Sequence, residues 1–286
     1  MEQTSPKKLN WQKKLLAILC AVFLFVGAVL GFLQAGVRYT QKHWDYFTPS
    51  YEKIDILPFL QKTERSDSDY QTLYKQTGLT KLGIDGLLAE DEIAQILRIQ
   101  NYFFSNPALE VDHFAPFTYL EEVNGVAPLA LLEDGDIIVS ATTRVSWWRY
   151  GHATLVVNGK EKLILEALEP NSKSRFSQAS SMANLANFLI LRPKVDKTLK
   201  AEIVQFAREN LHGVPYRLTT GIFSKKYNPD KITGTQCAHL VWYAYKKFGV
   251  DLDSNGGLIV KPQDMALSDK VEVVQAFGFD LEKLWS

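Results

Sequence analysis

The 286-residue sequence is poor in several features that would place a protein in a class at once. It has only two cysteines, too few for a disulfide framework. Its formal net charge at pH 7 is zero, so charge implies no nucleic-acid partner. Internal repeats and low-complexity segments are absent, which argues against a solenoid or a disordered chain. The histidines show no paired metal-ligand spacing, so we expect no metal and no cofactor.

One long apolar run is present, from Leu15 to Leu33, and it is long enough to span the hydrocarbon of a bilayer. Four lysines precede it, at positions 7, 8, 13 and 14. Positive charge stays on the cytoplasmic side, so we predict a cytoplasmic tail (1–14), a single-pass anchor (15–37) and an extracytoplasmic remainder.

Two alternatives to an uncleaved anchor remain. A cleavable signal peptide would have an unusually long apolar region, and Leu33-Gln34-Ala35 is a poor cleavage site. A lipoprotein signal at Cys20 would follow Leu19 and a very short apolar stretch. We favour the anchor. Because Cys20 then lies in the membrane, Cys237 would be a free thiol in an exported domain, and a reactive thiol explains that.

The remainder divides by pattern into a helical stalk or cap (38–130) and a mixed domain (131–286). The spacing predicts a short helix after Ser66, ending near Gly78, and a longer helix from Asp85 to Asn101.

From residue 131 the pattern changes to short strands with helices grouped apart, which predicts an α+β fold with an antiparallel sheet packed against helices. The predicted strands are Ile137–Ser140, His152–Val157, Leu163–Leu168, Asn187–Leu191 and Val271–Phe277.

Cys237 stands at the boundary between a loop and a helix, whose apolar residues recur at helical spacing. The positive end of a helix dipole favours a thiolate, and unpaired N–H groups there can stabilise an oxyanion. The alternative is a buried structural cysteine.

His152 and Glu166 lie on two strands joined by the turn signal Asn158-Gly159. A strict two-residue turn would put Glu166 on the opposite face from His152, whereas a longer turn or a bulge would bring both to one face. A carboxylate beside one imidazole nitrogen would orient the ring toward a thiol, which gives the set needed for nucleophilic acyl transfer. The alternative is a surface pair, or no pair.

Two groups of motifs resemble the NlpC/P60 peptidoglycan hydrolases. The cysteine half is Ala207-x5-Gly213-Val-Pro-Tyr216 followed by Gln236-Cys237-Ala-His-Leu-Val-Trp-Tyr-Ala-Tyr. The histidine half is Asp134-Gly-Asp-Ile-Ile-Val, Gly151-His152-Ala-Thr-Leu-Val-Val and Ile164-Leu-Glu166-Ala. The histidine half comes first, the order of the circularly permuted branch of YiiX/YaeF/YycO-like proteins, which also resemble lecithin–retinol acyltransferases.

The resemblance implies a permuted papain-like fold with Cys237 as nucleophile, His152 as general base and Glu166 as third polar residue. Tyr216 and Gln236 in the motifs, and Trp148 in an aromatic loop, are the candidate substrate-binding residues. Trp148 could instead belong to a partly buried loop or face the membrane. His239 is expected at the cleft wall or surface.

The implied function is hydrolysis of an amide in cell-wall peptide through a thioester. Two alternatives stay open: a lipid-directed acyl hydrolase or acyltransferase, and an inactive envelope-binding module.

Overall fold

The computed structural model describes residues 7–44, 46–111, 117–121, 125–145 and 148–285; of these, the side chains of 7–10, 37–44, 111, 144–145 and 148–149 are not described. Within these ranges the helices are α1 (Lys7–Trp44), α2 (Leu57–Leu60), α3 (Asp67–Thr77), α4 (Lys81–Ala89), α5 (Ile93–Phe103), α6 (Ser180–Ala183), α7 (Lys197–Asn210), α8 (Cys237–Lys246) and α9 (Pro262–Ala266). The strands are β1 (Leu109–Val111), β2 (Thr118–Leu120), β3 (Ile137–Ser140), β4 (Arg144–Val145), β5 (Trp148–Arg149), β6 (His152–Asn158), β7 (Leu163–Glu166), β8 (Arg175–Gln178), β9 (Phe188–Pro193) and β10 (Val271–Phe277). This mixed α+β architecture confirms the predicted class.

Helix α1 contains the segment Trp11–Gly36, which is long and apolar enough to cross a membrane. Its mean hydropathy is 2.9, and none of it is buried against the rest of the protein. By its length and composition this helix fits a membrane span or a signal anchor.

The short helix α3 forms as its end signals predict. The Ser66 hydroxyl accepts from the Asp69 N–H, and the Asp69 carboxylate accepts from the Ser66 N–H, so the two form a capping box. Gly78 closes the helix in the left-handed region. The prediction of a single helix from Asp85 to Asn101 is wrong. The acidic stretch around Asp91, itself at φ +59°, separates α4 from α5, because a left-handed residue cannot continue a helix.

Six of the described strands form one antiparallel sheet in the order β10–β9–β3–β6–β7–β8. The register brings the termini of several strands together at one end of the sheet, since Ser140 pairs with His152 and Phe277 pairs with Phe188. The opposite end of the sheet holds the turn after Asn158. The end that contains His152 is called the His152 end below.

Helices cover both faces of this sheet. One face packs against α7, α8 and α9, and its core includes Leu155, Leu189 and Val241. The other packs against α3, α4 and α5, and its core includes Val156 and Ile190. Alternate residues along each strand therefore point into two separate apolar layers.

Residues from 56 to 130 share that second apolar layer with the sheet. The Gln275 side chain of β10 accepts from the Ala130 N–H and donates to the Pro128 carbonyl. The segment thus packs on the back of the sheet, away from α8. The limits 38–130 and 131–286 stay a prediction.

Candidate active site

Cys237 is the first residue of α8 and is buried. The Gln236 side chain caps the helix, because its Oε1 accepts from the Ala238 N–H at 2.9 Å. The same oxygen lies 3.3 Å from the Cys237 Sγ. As the first helical residue, Cys237 has no intrahelical acceptor for its own N–H. The sulfur therefore lies beside a backbone donor at the positive end of a helix.

His152 begins β6, its imidazole hydrogen-bonds the Glu166 carboxylate, and the Cys237 side chain lies close enough to act on the charge of the ring. The Nε2–Oε2 distance to Glu166 is 3.2 Å, which leaves Nδ1 for the sulfur. His152 and Glu166 are each 2% exposed, so this pair is not a surface pair.

The hairpin register explains how the pair forms. Leu155 pairs with Leu165, and a bulge between Val156 and Asn158 adds a residue next to the turn. Extending this register puts Glu166 opposite Thr154, so Glu166 is diagonal to His152 on the same face. The bulge alternative therefore holds, although the two residues are diagonal rather than directly opposed.

Burial disfavours the imidazolium of His152, but the hydrogen bonds and charges of Cys237 and Glu166 outweigh it and raise its pKa to about 9. Burial also acts to raise the pKa of Glu166, yet the hydrogen bond and charge of His152, together with the nearby Arg175, leave it lowered. Arg175, on β8, lies 3.3 Å from Glu166 Oε1. These interactions favour the imidazolium form of His152.

We expect the imidazole of His152 to titrate near pH 9, well above its ordinary 6.5, because both partners stabilise its charged form. Glu166→Gln removes one of them and should lower the midpoint. Histidine-selective NMR of the detergent-solubilised full chain would measure it, with assignment from His152→Ala. By linkage, this contribution to stability is complete below pH 6.5 and is lost as the pH rises through about 9. A midpoint unchanged by Glu166→Gln would contradict the assignment of Glu166 as a partner.

A cleft of about 120 Å³ opens onto Cys237. Its walls are largely apolar and come from two loops and the start of α9; the lining residues are Tyr150, Leu218, Thr219, Ile222, Gln236, Cys237, Ile259, Val260, Lys261 and Pro262. Burial and the proximity of Cys237 raise the pKa of both Tyr150 and Tyr216, which keeps their hydroxyls neutral beside the sulfur.

The three candidate binding residues have different settings. Tyr216 is half-buried near Cys237. Gln236 lines the cleft, but its Nε2 donates to the Val260 carbonyl at 2.7 Å, so its amide is already engaged. Trp148 begins β5, and its side chain lies outside the described part of the chain. A role in binding stays a prediction for each of them.

His239 is buried, contrary to the expectation of a cleft-wall or surface position. Its Nδ1 lies 2.9 Å from the Thr235 hydroxyl, and its Nε2 lies 2.7 Å from the Lys226 carbonyl oxygen. Burial lowers its pKa to about 4, so the ring is neutral and fastens the Lys226 loop to α8. Sequence reasoning also missed Arg175, because β8 carries no clear alternation.

Among the described residues, no group of three or more His, Cys, Asp or Glu side chains is arranged to hold a metal ion.

Comparison with known proteins gives one distant similarity. No family model and no curated protein matches the sequence. Among solved structures, the chain is similar to the metalloprotein YiiX from Escherichia coli O157:H7, with 16% sequence identity and a TM-score of 0.39. The match covers 50% of this chain and 97% of YiiX. It indicates a distant YiiX-like relation and carries no argument about the site.

Proposed function

We propose that this protein is a membrane-anchored cysteine hydrolase, with Cys237 as nucleophile, His152 as general base and Glu166 as the residue that orients the imidazole. The observation that carries this proposal is the buried His152 ring, which hydrogen-bonds the Glu166 carboxylate and lies beside the Cys237 side chain. A structural cysteine needs neither an imidazole partner nor a cleft, and Cys237 has both.

The proposed reaction is acyl transfer in two steps. The Cys237 sulfur attacks the carbonyl carbon of the substrate, and its proton resides on His152. The C–N or C–O bond then breaks, the leaving group takes the proton from His152, and a thioester remains. Water, deprotonated by His152, attacks the thioester, which releases a carboxylic acid and the free thiol. The N–H of Cys237 is positioned to donate to the oxyanion formed in each step.

The order of the motifs supports a circularly permuted NlpC/P60-like domain, and that resemblance favours an amide of cell-wall peptide as substrate. A second candidate is the acyl group of a lipid, cleaved or transferred in the manner of the permuted relatives. The apolar walls of the cleft favour this second candidate, since few polar groups there could recognise a peptide.

The decisive experiment is to identify the acyl group that Cys237 carries. Full-length protein would be incubated with envelope extracts, quenched in acid, digested and analysed by mass spectrometry. We expect an acyl adduct on the peptide with Cys237 and none on the peptide with Cys20, which has no base beside it. If Cys237 acquires no adduct while the protein still binds envelope material, the protein is better described as an inactive envelope-binding module.

The lysines before the anchor predict a cytoplasmic N-terminus and an extracytoplasmic domain. Protease added to intact spheroplasts is expected to digest residues beyond the anchor and to leave an N-terminal tag protected. Permeabilised spheroplasts provide the control, in which both should be digested. Full protection of the domain in intact spheroplasts would place it in the cytoplasm.

A further inference from the structure

Two loops next to the cleft present apolar side chains to solvent: Leu218, Ile222, Phe223 and Leu258, called the rim below. Outside the anchor, Phe223 at 86% and Leu258 at 70% are the most exposed large apolar residues in the described chain. Scattered exposed apolar residues are ordinary, but a cluster beside a site marks a contact surface. Leu218 and Ile222 continue from the rim into the cleft wall.

The rim is built as one surface. Gly221, at φ +94°, packs so closely on the Leu258 carbonyl oxygen that a Cβ there would lie 1.9 Å from it. The Lys226 ammonium joins the same loops, because it bonds the Asp253 carboxylate and the Gly257 carbonyl oxygen. The two loops that carry the rim are therefore fixed to each other by these contacts.

Basic residues are frequent in the chain segment that carries three of the four rim residues. The stretch 217–234 contains four basic residues and one acidic residue, in a chain whose net charge is zero; they are Arg217, Lys225, Lys226, Lys231 and Asp230. Lys226 is paired with Asp253, and Arg217, Lys225 and Lys231 are exposed. An exposed aromatic residue flanked by lysines is typical of segments that enter the interface of an anionic bilayer.

The anchor joins the domain at the His152 end of the sheet. Helix α1 ends at Trp44, and two residues later Tyr46 packs edge-on against Phe277 with a 5.6 Å centroid separation. The Phe47 N–H donates to the Gly278 carbonyl oxygen at 3.0 Å. From Gly36, the end of the apolar segment, eight helical residues advance only about 12 Å. The His152 end is therefore tethered close to the membrane, whereas the far end of the sheet lies a strand length away, roughly 23 Å.

We propose that the rim inserts into the anionic bilayer that holds the anchor, so that the Cys237 cleft opens toward lipid. Resting on the proposed acyl-transfer function, this names the substrate class as the acyl group of a membrane-resident amphiphile. The bilayer is favoured over a soluble partner because the tether and the cleft lie at one end of the sheet, and the exposed apolar side chains beside the cleft have exposed basic residues next to them in sequence.

The test is the depth of a fluorophore in the intact protein. Full-length Cys20→Ser/Cys237→Ala protein would carry bimane at Phe223→Cys, or at Leu131→Cys as the control. Leu131 is an exposed leucine near the turn between β6 and β7, at the far end of the sheet. Nanodiscs of phosphatidylglycerol and phosphatidylethanolamine would contain nitroxide-labelled lipid, and iodide would serve as the aqueous quencher.

We expect nitroxide lipid to quench the probe at 223 and iodide to leave it bright, with the reverse at 131. Equal quenching by iodide at both positions would overturn the proposal. Protection of the probe at 223 from both quenchers would mean that a protein covers the rim, which also overturns it. This readout uses inactive protein, so it stands or falls independently of the catalytic proposal.

A second measurement tests the substrate class. Phe223→Ser/Leu258→Ser should lower acylation of Cys237 from lipid nanodiscs at least about tenfold, because two apolar contacts with the bilayer are lost. Leu131→Ser should not lower it. Alkylation of Cys237 by water-soluble iodoacetamide should be equal in both variants, since neither Phe223 nor Leu258 lines the cleft. Unchanged acylation from nanodiscs would overturn a lipid source.

Discussion

Replacement of Cys237 by alanine is expected to abolish hydrolysis of the acyl substrate identified by trapping, a loss on the order of 10⁴-fold or more. The reason is local: no other nucleophilic side chain in the cleft lies beside both an imidazole and the start of a helix. Release of the carboxylic acid, followed by mass spectrometry, would measure the loss.

Cys20→Ala is the matched control, because it removes the only other thiol while leaving the cleft intact. It should retain the wild-type rate. If Cys237→Ala retained full activity on a true substrate, the assignment of Cys237 as the nucleophile would be wrong. Equal thermal unfolding of the two variants would exclude loss of fold as the cause.

Replacement of His152 by alanine is expected to cost nearly as much, about 10³-fold or more, since both thiol activation and leaving-group protonation depend on one ring. The two losses should not add. Once the nucleophile is absent the base has no proton to take, so the double variant should resemble Cys237→Ala alone. Turnover of the three proteins on the same substrate would show this.

His212 provides the comparison for His152. It is exposed and stacks on Phe176 with a 4.8 Å centroid separation, away from the thiol. His212→Ala should therefore leave turnover unchanged. Comparable losses from both histidine variants would indicate a structural effect on the sheet rather than general-base catalysis.

Local signals made much of the fold predictable from sequence. Ser66, Gly78 and the alternating strand segments each act through contacts within a few residues, so their chemistry can be read without the rest of the chain. The predicted strands recur in β3, β6, β7, β9 and β10. The break at Asp91 was missed because the apolar pattern continues across it.

The residues of the candidate site could be proposed from the sequence, but their arrangement could not. Whether Glu166 shares a face with His152 depends on one bulged residue near Val156, and two registers fitted the sequence equally. The approach of Cys237 to His152 depends on α8 packing against β6, a long-range contact. The rim could not be predicted either, because the sequence does not distinguish a buried apolar residue in a loop from an exposed one.

The place of β10 has a consequence for how the protein matures. This last strand of the sheet pairs with β9, contacts Leu79 through Gln275, and leads into Gly278, which accepts the hydrogen bond from Phe47 at the exit of the anchor. Most of the chain lies between these partners, so the sheet closes only after β10 has left the ribosome. His152 emerges well before Cys237, and the layer that supports both is completed last. A nascent chain therefore keeps the Cys237 thiol apart from the His152 imidazole until β10 has been synthesised.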